Sequence, residues 1–392
     1  MSNAVITAWS AVSPYGTGSA PLADGLRTRT AAPRSEAPEE WTARPDATAR
    51  LVPGFDVREA LGRAGTRGMD RLTGLTAVTV RELLAARGAE QDDSLGTGVV
   101  LGTAAGSVQG FMEFTRASLE GARPIDVPPS KAPNMAMNRA ASASAIRHAL
   151  KGPNSTVAAG RLSGLVALDH ARRLLADGRA TRVLAGSAEE YSASRAHLTH
   201  AAHGDDVVLG EGCVMVLLEP ADRADGRPLA ELLAVHHRVA PTGDFTAALT
   251  AAVETALTAA GVRADEVWAA LPGNAPGVAG EQEVRLHEAL FRAEVRERVA
   301  TTALLGETAA ATGAFQLAAL LSEPGEPGRI ALVTTTDPDG YVGCAVLRLL
   351  TDGTPPAAGN APTAGGAPAA GDVPTTGNVS ADTTTAEEID AR

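Results

Sequence analysis

The chain has 392 residues and a net charge of −12, and 44% of its residues are hydrophobic while 20% are charged. This composition is that of a globular protein with a large buried core, and the negative charge argues against non-specific binding to nucleic acid or to an anionic membrane. No apolar run approaches the about 20 residues of a membrane helix, and the N-terminus lacks the features of a signal peptide. The two cysteines, Cys213 and Cys344, predict a reducing, cytoplasmic setting.

Short apolar runs alternate with helical patterns along the first 350 residues, which predicts a layered α/β fold with buried sheets. The strand–helix rhythm occurs twice, which indicates two similar halves, 1–225 and 226–350. The predicted strands are Ala4–Ala8, Gly98–Leu101, Ser155–Ala158, Arg182–Ala185, Cys213–Glu219, Leu229–His236, Glu266–Ala270, Arg329–Thr334 and Cys344–Leu349. The predicted helices are Met69–Arg87, Val108–Leu119, Ser163–Ala176, Phe245–Ala260, Glu281–Phe291 and Thr308–Leu321.

Two segments have compositions that do not fit this rhythm. Residues 31–53 are rich in Pro, Arg and Glu, and we interpret them as a surface loop. Residues 351–392 consist mainly of Ala, Gly, Pro and Thr, with six acidic residues and one arginine. Such a segment buries too little apolar surface to offset its chain entropy, so it is predicted to be a disordered tail.

Several local patterns resemble cofactor or metal sites without meeting their requirements. Residues 102–107 are similar to a dinucleotide-binding loop but lack its third glycine and its acidic partner, so no cofactor is predicted. His197, His200 and His203 have metal-ligand spacing, but they are predicted to lie in a polar loop as solvated surface residues rather than as zinc ligands. Cys213 and Cys344 each lie inside a predicted strand and are interpreted as small buried hydrophobic residues.

A further set of motifs occurs in a consistent order along the chain. Together these motifs resemble a β-ketoacyl synthase of the thiolase-like superfamily. The resemblance implies a five-layer αβαβα fold of two similar halves and a dimer across a pseudo-twofold axis. The motifs are the opening strand and glycine turn at Val5–Gly16, the helix start at Arg67–Thr73, Gly152–Asn154, Ser163–Gly164, Gly186–Glu189, and the Gly-Glu-Gly strand at Gly210–Glu219.

The residues that carry catalysis in that family are replaced in this chain. The position of the nucleophilic cysteine, two residues before Ser163, is occupied by Arg161, which cannot form an acyl intermediate. The two catalytic histidines correspond to Pro272 and Glu307, and the lysine corresponds to Thr302. The site is therefore interpreted as vacated, with no catalytic residue, cofactor or metal of its own.

This pattern resembles the chain length factor of type II polyketide synthases, which make aromatic or polyene products. The resemblance implies a non-catalytic subunit that forms a heterodimer with a catalytic ketosynthase α subunit and shapes the tunnel for the growing chain. Acyl carrier proteins are acidic, as is this chain, so a carrier protein is expected to dock indirectly, through the partner. The alternatives are a malonyl-carrier-protein decarboxylase or acyltransferase that uses the remodelled pocket, and a homodimeric scaffold.

Three structural expectations follow from the resemblance. Arg161 and Glu307 should occupy one pocket, and they are predicted to form an ion pair, because a lone buried charge is costly. Met112, Thr115 and Leu119 fall on one helical face and correspond to the tunnel wall, although core packing explains the same spacing. The strand around residues 155–159 is predicted to pair across the dimer axis, because an unpaired apolar edge promotes aggregation.

Overall fold

A computed structural model describes residues 3–36, 48–87, 94–204 and 206–355 of the chain. The first half contains strands in which hydrophobic residues occupy both faces, as expected for sheets covered on both sides. Its elements are β1 (Ala4–Ser13), β2 (Gly16–Thr17), α1 (Ser19–Thr28), β3 (Ser35–Glu36), β4 (Thr48–Ala49), α2 (Val57–Leu61), α3 (Arg71–Arg87), β5 (Thr97–Gly102), α4 (Val108–Glu120), α5 (Arg139–Arg147), β6 (Asn154–Val157), α6 (Ser163–Ala176), β7 (Arg182–Glu189), α7 (Ala193–His203) and β8 (Gly212–Pro220).

The second half has fewer elements and follows the same order of strand types. Short 3₁₀ helices occur at Pro129–Met135 in the first half and at Ala264–Glu266 and Ala309–Ala311 in the second. The elements of the second half are β9 (Ala230–Val239), α8 (Phe245–Ala260), β10 (Val267–Leu271), α9 (Val278–Leu290), α10 (Ala293–Arg296), α11 (Thr302–Leu305), α12 (Thr312–Ser322), β11 (Arg329–Asp337) and β12 (Tyr341–Leu349).

The two halves repeat one strand topology. In the first half β7 is parallel to β5 and antiparallel to β8, and β8 is antiparallel to β1. In the second half β11 is parallel to β10 and antiparallel to β12, and β12 is antiparallel to β9. The halves join where Ala4–Ile6 of β1 pairs with β9. In the first half, β6 extends the sheet beyond β5 and forms its edge.

Three hydrophobic clusters define the five layers. Helices α6 and α12 form the middle layer, and their apolar residues pack against strands of both halves. Helices α3 and α5 cover the outer face of the first half's strands, and α8 and α9 cover that of the second. Alternate residues of one strand point to different clusters: Val214 and Val216 of β8 face the middle layer, whereas Cys213 and Met215 face outward. The αβαβα arrangement implied by the resemblance is therefore present.

Every predicted strand and helix is found, and most extend further than the sequence pattern indicated. The helices that were not predicted are α1, α5 and α7 and the short α2, α10 and α11. α1 contains Pro21 and Gly25, which weaken helix propensity, while α7 has mostly polar residues. Tertiary contacts stabilise these helices where propensity does not: α1, for example, buries Leu22 and Leu26 in the central hydrophobic cluster.

The interpretation of residues 31–53 as a surface loop is wrong for part of that segment. Residues 37–47 lie outside the described residues, but Thr48–Ala49 pairs with Ser35–Glu36, and Ala49 through Val52 are buried. The N–H of Arg50 donates to the carbonyl of Leu209, so this stretch is attached to the core. The short buried stretch from Ala49 to Val52 was not predicted from the sequence, because the residues around it are polar and proline-rich.

The predicted tail, 351–392, lies mostly outside the described residues, which end at 355. The described part does not behave as a tail: Thr351 is 2% exposed, and its N–H donates to the carbonyl of Leu229. Its carbonyl accepts a hydrogen bond from Arg329. The folded part of the chain therefore continues past the last strand, β12.

Buried carboxyl groups cluster where β7 meets the N-terminus of α3. Glu190 is 2% exposed and accepts hydrogen bonds from the N–H of Leu72 at 2.8 Å and from the hydroxyl of Ser107 at 3.1 Å. Burial, and next the carboxyl group of Asp70, raise the pKa of Glu190 to about 8. Burial also raises the pKa of Asp70 and of Glu189. At Glu190 the folded chain therefore holds a proton near neutral pH that the unfolded chain would release.

The free energy of unfolding is expected to fall as the pH rises from about 4.5 to about 8. Glu190 stays protonated in the folded state over this range, whereas the unfolded chain loses the proton near its ordinary pKa of 4.5. One such group contributes at most ~1.4 kcal/mol per pH unit. Urea titrations across this range should show a shallower decline for Glu190→Gln than for the natural chain. The exposed Glu254→Gln is the control, and an unchanged slope in Glu190→Gln would contradict the assignment.

Candidate functional site

Arg161 lies in the tight turn between β6 and α6. Gly160 precedes it with φ +53°, and a Cβ atom at this glycine would clash with Oδ2 of Asp337. Only glycine fits this position, because it combines a left-handed backbone with a close approach to another chain segment. The turn directs Arg161 inward, where the residue is 4% exposed.

Every nitrogen of the Arg161 guanidinium has an acceptor. Nη1 donates to Oε1 of Glu307 in a buried ion pair, which confirms the contact predicted from the sequence. Nη2 donates to the carbonyl of Gly273 at 2.7 Å, and Nε donates to the carbonyl of Thr336 at 3.1 Å. A fully paired guanidinium avoids the cost of an isolated buried charge. This side chain thus connects four segments that are distant in the sequence.

The structure brings the four predicted positions of the vacated site together. Glu307 is 8% exposed, and its Oε1 also accepts the N–H of Ala309 at 2.8 Å. The Thr302 hydroxyl donates to the carbonyl of Gly273 at 3.0 Å, the same carbonyl that Arg161 reaches. Pro272 directly precedes Gly273 in this loop. Arg161 and Thr302 therefore share the Gly273 carbonyl as acceptor, Glu307 is paired with Arg161, and Pro272 is the sequence neighbour of Gly273.

The backbone amide of Arg161 is also occupied. Its N–H donates to Oδ2 of Asp337 at 2.7 Å. An amide at the start of a helix after a sharp turn is the kind of donor that stabilises a developing oxyanion. Here a fixed carboxylate takes that position, so this amide is not available to an acyl oxygen.

Glu283 holds the loop that carries the shared carbonyl. It is completely buried and accepts the N–H groups of Gly273 and Asn274, each at 3.0 Å. It also accepts the hydroxyl groups of Thr334 at 2.6 Å and Thr336 at 3.2 Å. Burial raises the pKa of Glu283, while these hydrogen bonds oppose that shift. The carboxyl group positions Gly273 for its contacts with Arg161 and Thr302.

Sequence reasoning missed Glu283, Asp337 and Arg195, which support the site. Arg195 is 6% exposed and donates to the carbonyls of Glu190, Gly210 and Glu307. Asp337 lies near the end of a predicted strand, while Glu283 and Arg195 lie on helices, and many exposed charged residues have such positions. Some of their partners lie far away along the chain, at a separation of 176 residues for Asp337 and Arg161 and of 112 for Arg195 and Glu307. Only the fold shows which of them are buried.

The cysteines lie on strands β8 and β12 and face the outer helices. Cys213 packs in the cluster under α3 and α5, and Cys344 packs in the cluster under α8 and α9. Both side chains are completely buried, and burial raises the pKa of each thiol to about 12. The interpretation of both cysteines as small buried residues is confirmed, because such thiols carry almost no thiolate at neutral pH.

The candidate tunnel residues lie on α4, which is largely exposed in this chain. Met112 is 42% exposed and Leu119 is 80% exposed, while Thr115 is partly buried. The interpretation in which Met112 and Leu119 belong to the core of the chain itself is therefore wrong. Phe111, on the same helix, is 50% exposed. Three large apolar side chains of α4 are therefore open to solvent in this chain.

Two further expectations concern metal binding and membranes. His197, His200 and His203 lie on helix α7, not in the polar loop that was predicted, and all three are exposed. Within the described residues, no group of three or more His, Cys, Asp or Glu side chains is placed to hold a metal ion. In the same part of the chain, no helix is both long and apolar enough to span a membrane.

Comparison with known proteins identifies the class to which this fold and site belong. The family model of the β-ketoacyl synthase N-terminal domain matches residues 1–224, so the chain belongs to the β-ketoacyl synthase family. The chain also aligns along its length with the ishigamide ketosynthase/chain length factor. That structure is 47% identical with a TM-score of 0.84, and the match covers 89% of this chain and 100% of that one.

More distant relatives share the family or the fold. The 3-oxoacyl-[acyl-carrier-protein] synthase 2 of Rhizobium meliloti (strain 1021) is 29% identical over 45% of this chain and 48% of its own length. That of Vibrio cholerae is 26% identical over 56% of this chain and 60% of its own length, so the chain spans about half the length of these relatives. A β-ketoacyl synthase structure from Burkholderia phymatum STM815, 20% identical with TM-score 0.75, covers 90% of this chain and 100% of its own and shares the thiolase-like fold.

Proposed function

We propose that this chain is the chain length factor of a type II polyketide synthase, a subunit that pairs with a catalytic ketosynthase and has no catalysis of its own. The observation that carries the proposal is the Arg161–Glu307 ion pair at the position that the family uses for its nucleophile. An arginine forms no acyl intermediate, and the adjacent amide is held by Asp337. The similarity to the ishigamide ketosynthase/chain length factor supports the same role.

Two surfaces of the chain suit a partner subunit. Within the described residues β6 pairs on one side only, with β5, so the other side offers unpaired backbone groups. The second surface is the exposed apolar face of α4 and its surroundings, formed by Phe111, Met112, Leu119, Ile125 and Leu198. A homodimer would contain two sites without a nucleophile, so the proposed partner is a different chain, a catalytic ketosynthase. An acyl carrier protein would dock on that partner.

Co-expression with a ketosynthase of the same synthase tests the pairing. We expect a 1:1 complex by size-exclusion chromatography with light scattering, and product formation only when both chains are present. The variant Arg161→Met combined with Glu307→Gln removes the charged pair but keeps an acceptor for the Ala309 N–H. The complex with this variant should form product at a rate within about twofold of the natural pair, a small change on the free-energy scale. A stable homodimer that ignores the ketosynthase would exclude the proposal.

Met112→Trp in the complex is expected to shorten the polyketide product. The indole extends further from α4 than the methionine side chain does, and the position is already partly exposed on the side proposed as the tunnel wall. Glu254→Trp places the same ring on the exposed face of α8 and should leave the product distribution unchanged. Product lengths are read by mass spectrometry. An unaltered distribution with Met112→Trp, in a complex of normal activity, would remove Met112 from the tunnel.

The second candidate is a decarboxylase or acyltransferase that uses the remodelled pocket. It is favoured only by the presence of polar groups around Gly273, and these are already paired with one another. The purified chain alone, incubated with malonyl-carrier protein, is expected to release carbon dioxide at the rate of the carrier alone. Release above that rate, abolished in the Arg161→Met and Glu307→Gln variant, would establish this candidate instead.

A further inference from the structure

A pocket of about 310 Å³ opens beside the Arg161–Glu307 pair. Its wall is formed by the loop after β10, by the start of α11, and by the residues that flank β3 and β4. This volume is at the small end of the range for ligand sites in proteins. The polar residues that line it are Arg34, Arg50, Asp206, Asn274, Thr302 and Glu307.

Two guanidinium groups in this wall belong to Arg34 and Arg50. Within residues 3–36, 48–87, 94–204 and 206–355, neither arginine forms an ion pair with an acidic side chain. Arg50 is 8% exposed and donates from Nη1 to the carbonyl of Ala32 and weakly from Nη2 to that of Ala303 at 3.5 Å. Its Nε is buried without a hydrogen-bond partner. A cation this well buried normally has a counter-charge.

The electrostatic environment favours an anion between these groups. Burial, and next the charge of Arg34, lower the pKa of Arg50, so the two cations are close enough to repel each other. Of the two acidic residues in the wall, Glu307 is neutralised by Arg161. Asp206 is exposed, so water screens its charge. The amide of Asn274 adds a donor, because its Nδ2 makes one hydrogen bond, to the carbonyl of Pro272, and carries a second hydrogen.

We propose that this pocket binds a small dianion, a phosphate monoester or a dicarboxylate, between the guanidinium groups of Arg34 and Arg50. Guanidinium groups are the preferred partners of both anions, because their planar donors match two oxygens at once. The Asn274 amide completes the site from the loop that Glu283 holds. The proposal concerns a ligand and does not depend on whether the chain pairs with a ketosynthase.

Titration calorimetry on the full chain tests the site with inorganic phosphate and, separately, with malonate. We expect saturable binding with one ion per chain, and at least a tenfold loss of affinity in Arg34→Ala, since each charge-assisted contact contributes about that factor. Arg34 is exposed, so this variant should fold normally. Arg58→Ala, which removes an exposed arginine on α2, is the control and should bind like the natural chain.

The two ions distinguish the sources of the ligand. Tighter binding of phosphate assigns the site to a phosphate monoester, and tighter binding of malonate assigns it to a dicarboxylate. Thermal unfolding in the same buffers gives an independent readout, because a ligand that binds only the folded chain raises the melting temperature. Absence of saturable binding for both ions overturns the proposal. Equal affinity in Arg34→Ala and the natural chain overturns it as well.

Discussion

Replacing Arg161 with methionine is expected to lower the free energy of unfolding by about 3–5 kcal/mol, the usual cost of removing one partner from a buried ion pair. The substitution leaves the Glu307 carboxylate buried without its cation. It also removes the side-chain donor to the Thr336 carbonyl and one of two donors to the Gly273 carbonyl, which keeps the Thr302 hydroxyl. Methionine matches the length of the aliphatic part of arginine, so the effect comes mainly from lost polar contacts rather than from a cavity.

Urea unfolding of the natural chain, of Arg161→Met and of the double variant with Glu307→Gln measures this effect. The double variant removes both charges, and it should recover part of the lost stability because no uncompensated carboxylate remains. The neutral glutamine side chain that replaces Glu307 keeps an acceptor for the Ala309 N–H. A single variant that stays within about 1 kcal/mol of the natural chain would mean that water reaches the pocket and hydrates Glu307.

Glu211→Ala is expected to cost as much or more, on the order of 3–5 kcal/mol. Glu211 is completely buried and accepts two hydrogen bonds from Arg71, at 2.7 Å from Nε and 2.5 Å from Nη2. It also accepts the N–H groups of Val52 at 2.8 Å and Tyr191 at 3.0 Å. Removal therefore leaves two buried amides without these acceptors and deprives Arg71 of its counter-charge.

The conservative Glu211→Gln separates these contributions. Glutamine keeps one acceptor oxygen and loses the charge, so its loss of stability should lie between those of the natural chain and the alanine variant. Both variants are measured by urea unfolding at one pH near neutrality. A glutamine variant as unstable as the alanine variant would show that the charge, and not the hydrogen bonds to the amides, dominates at this position.

Much of the architecture could be predicted from the sequence, because the spacing of hydrophobic residues is a local signal for strands and helices and the order of these elements follows from it. The strands that alternate between two clusters, such as β8 and β12, are continuous apolar runs that are typical of covered sheets. Helices α1 and α7 were missed for a physical reason. Tertiary packing, rather than helix propensity, gives these segments their helical form.

The candidate site could be predicted in part. The Arg161–Glu307 contact follows from charge chemistry once the two positions are placed in one pocket, and the structure shows it. The hydrogen bonds of Glu283 and Asp337 could not be predicted, because they depend on loop geometry that brings together segments far apart in the chain. The Arg50 guanidinium was also unforeseen, since its neighbours are proline-rich and polar, a composition typical of surface loops.

The four-way attachment of Arg161 also has an evolutionary consequence. A single mutation that placed a cysteine at position 161 would leave Glu307 buried without its cation, and Asp337 would still occupy the amide beside the new thiol. Such an intermediate would be less stable than its parent. Under the non-catalytic role proposed above, a gain of ketosynthase chemistry would therefore require changes at several codons at once.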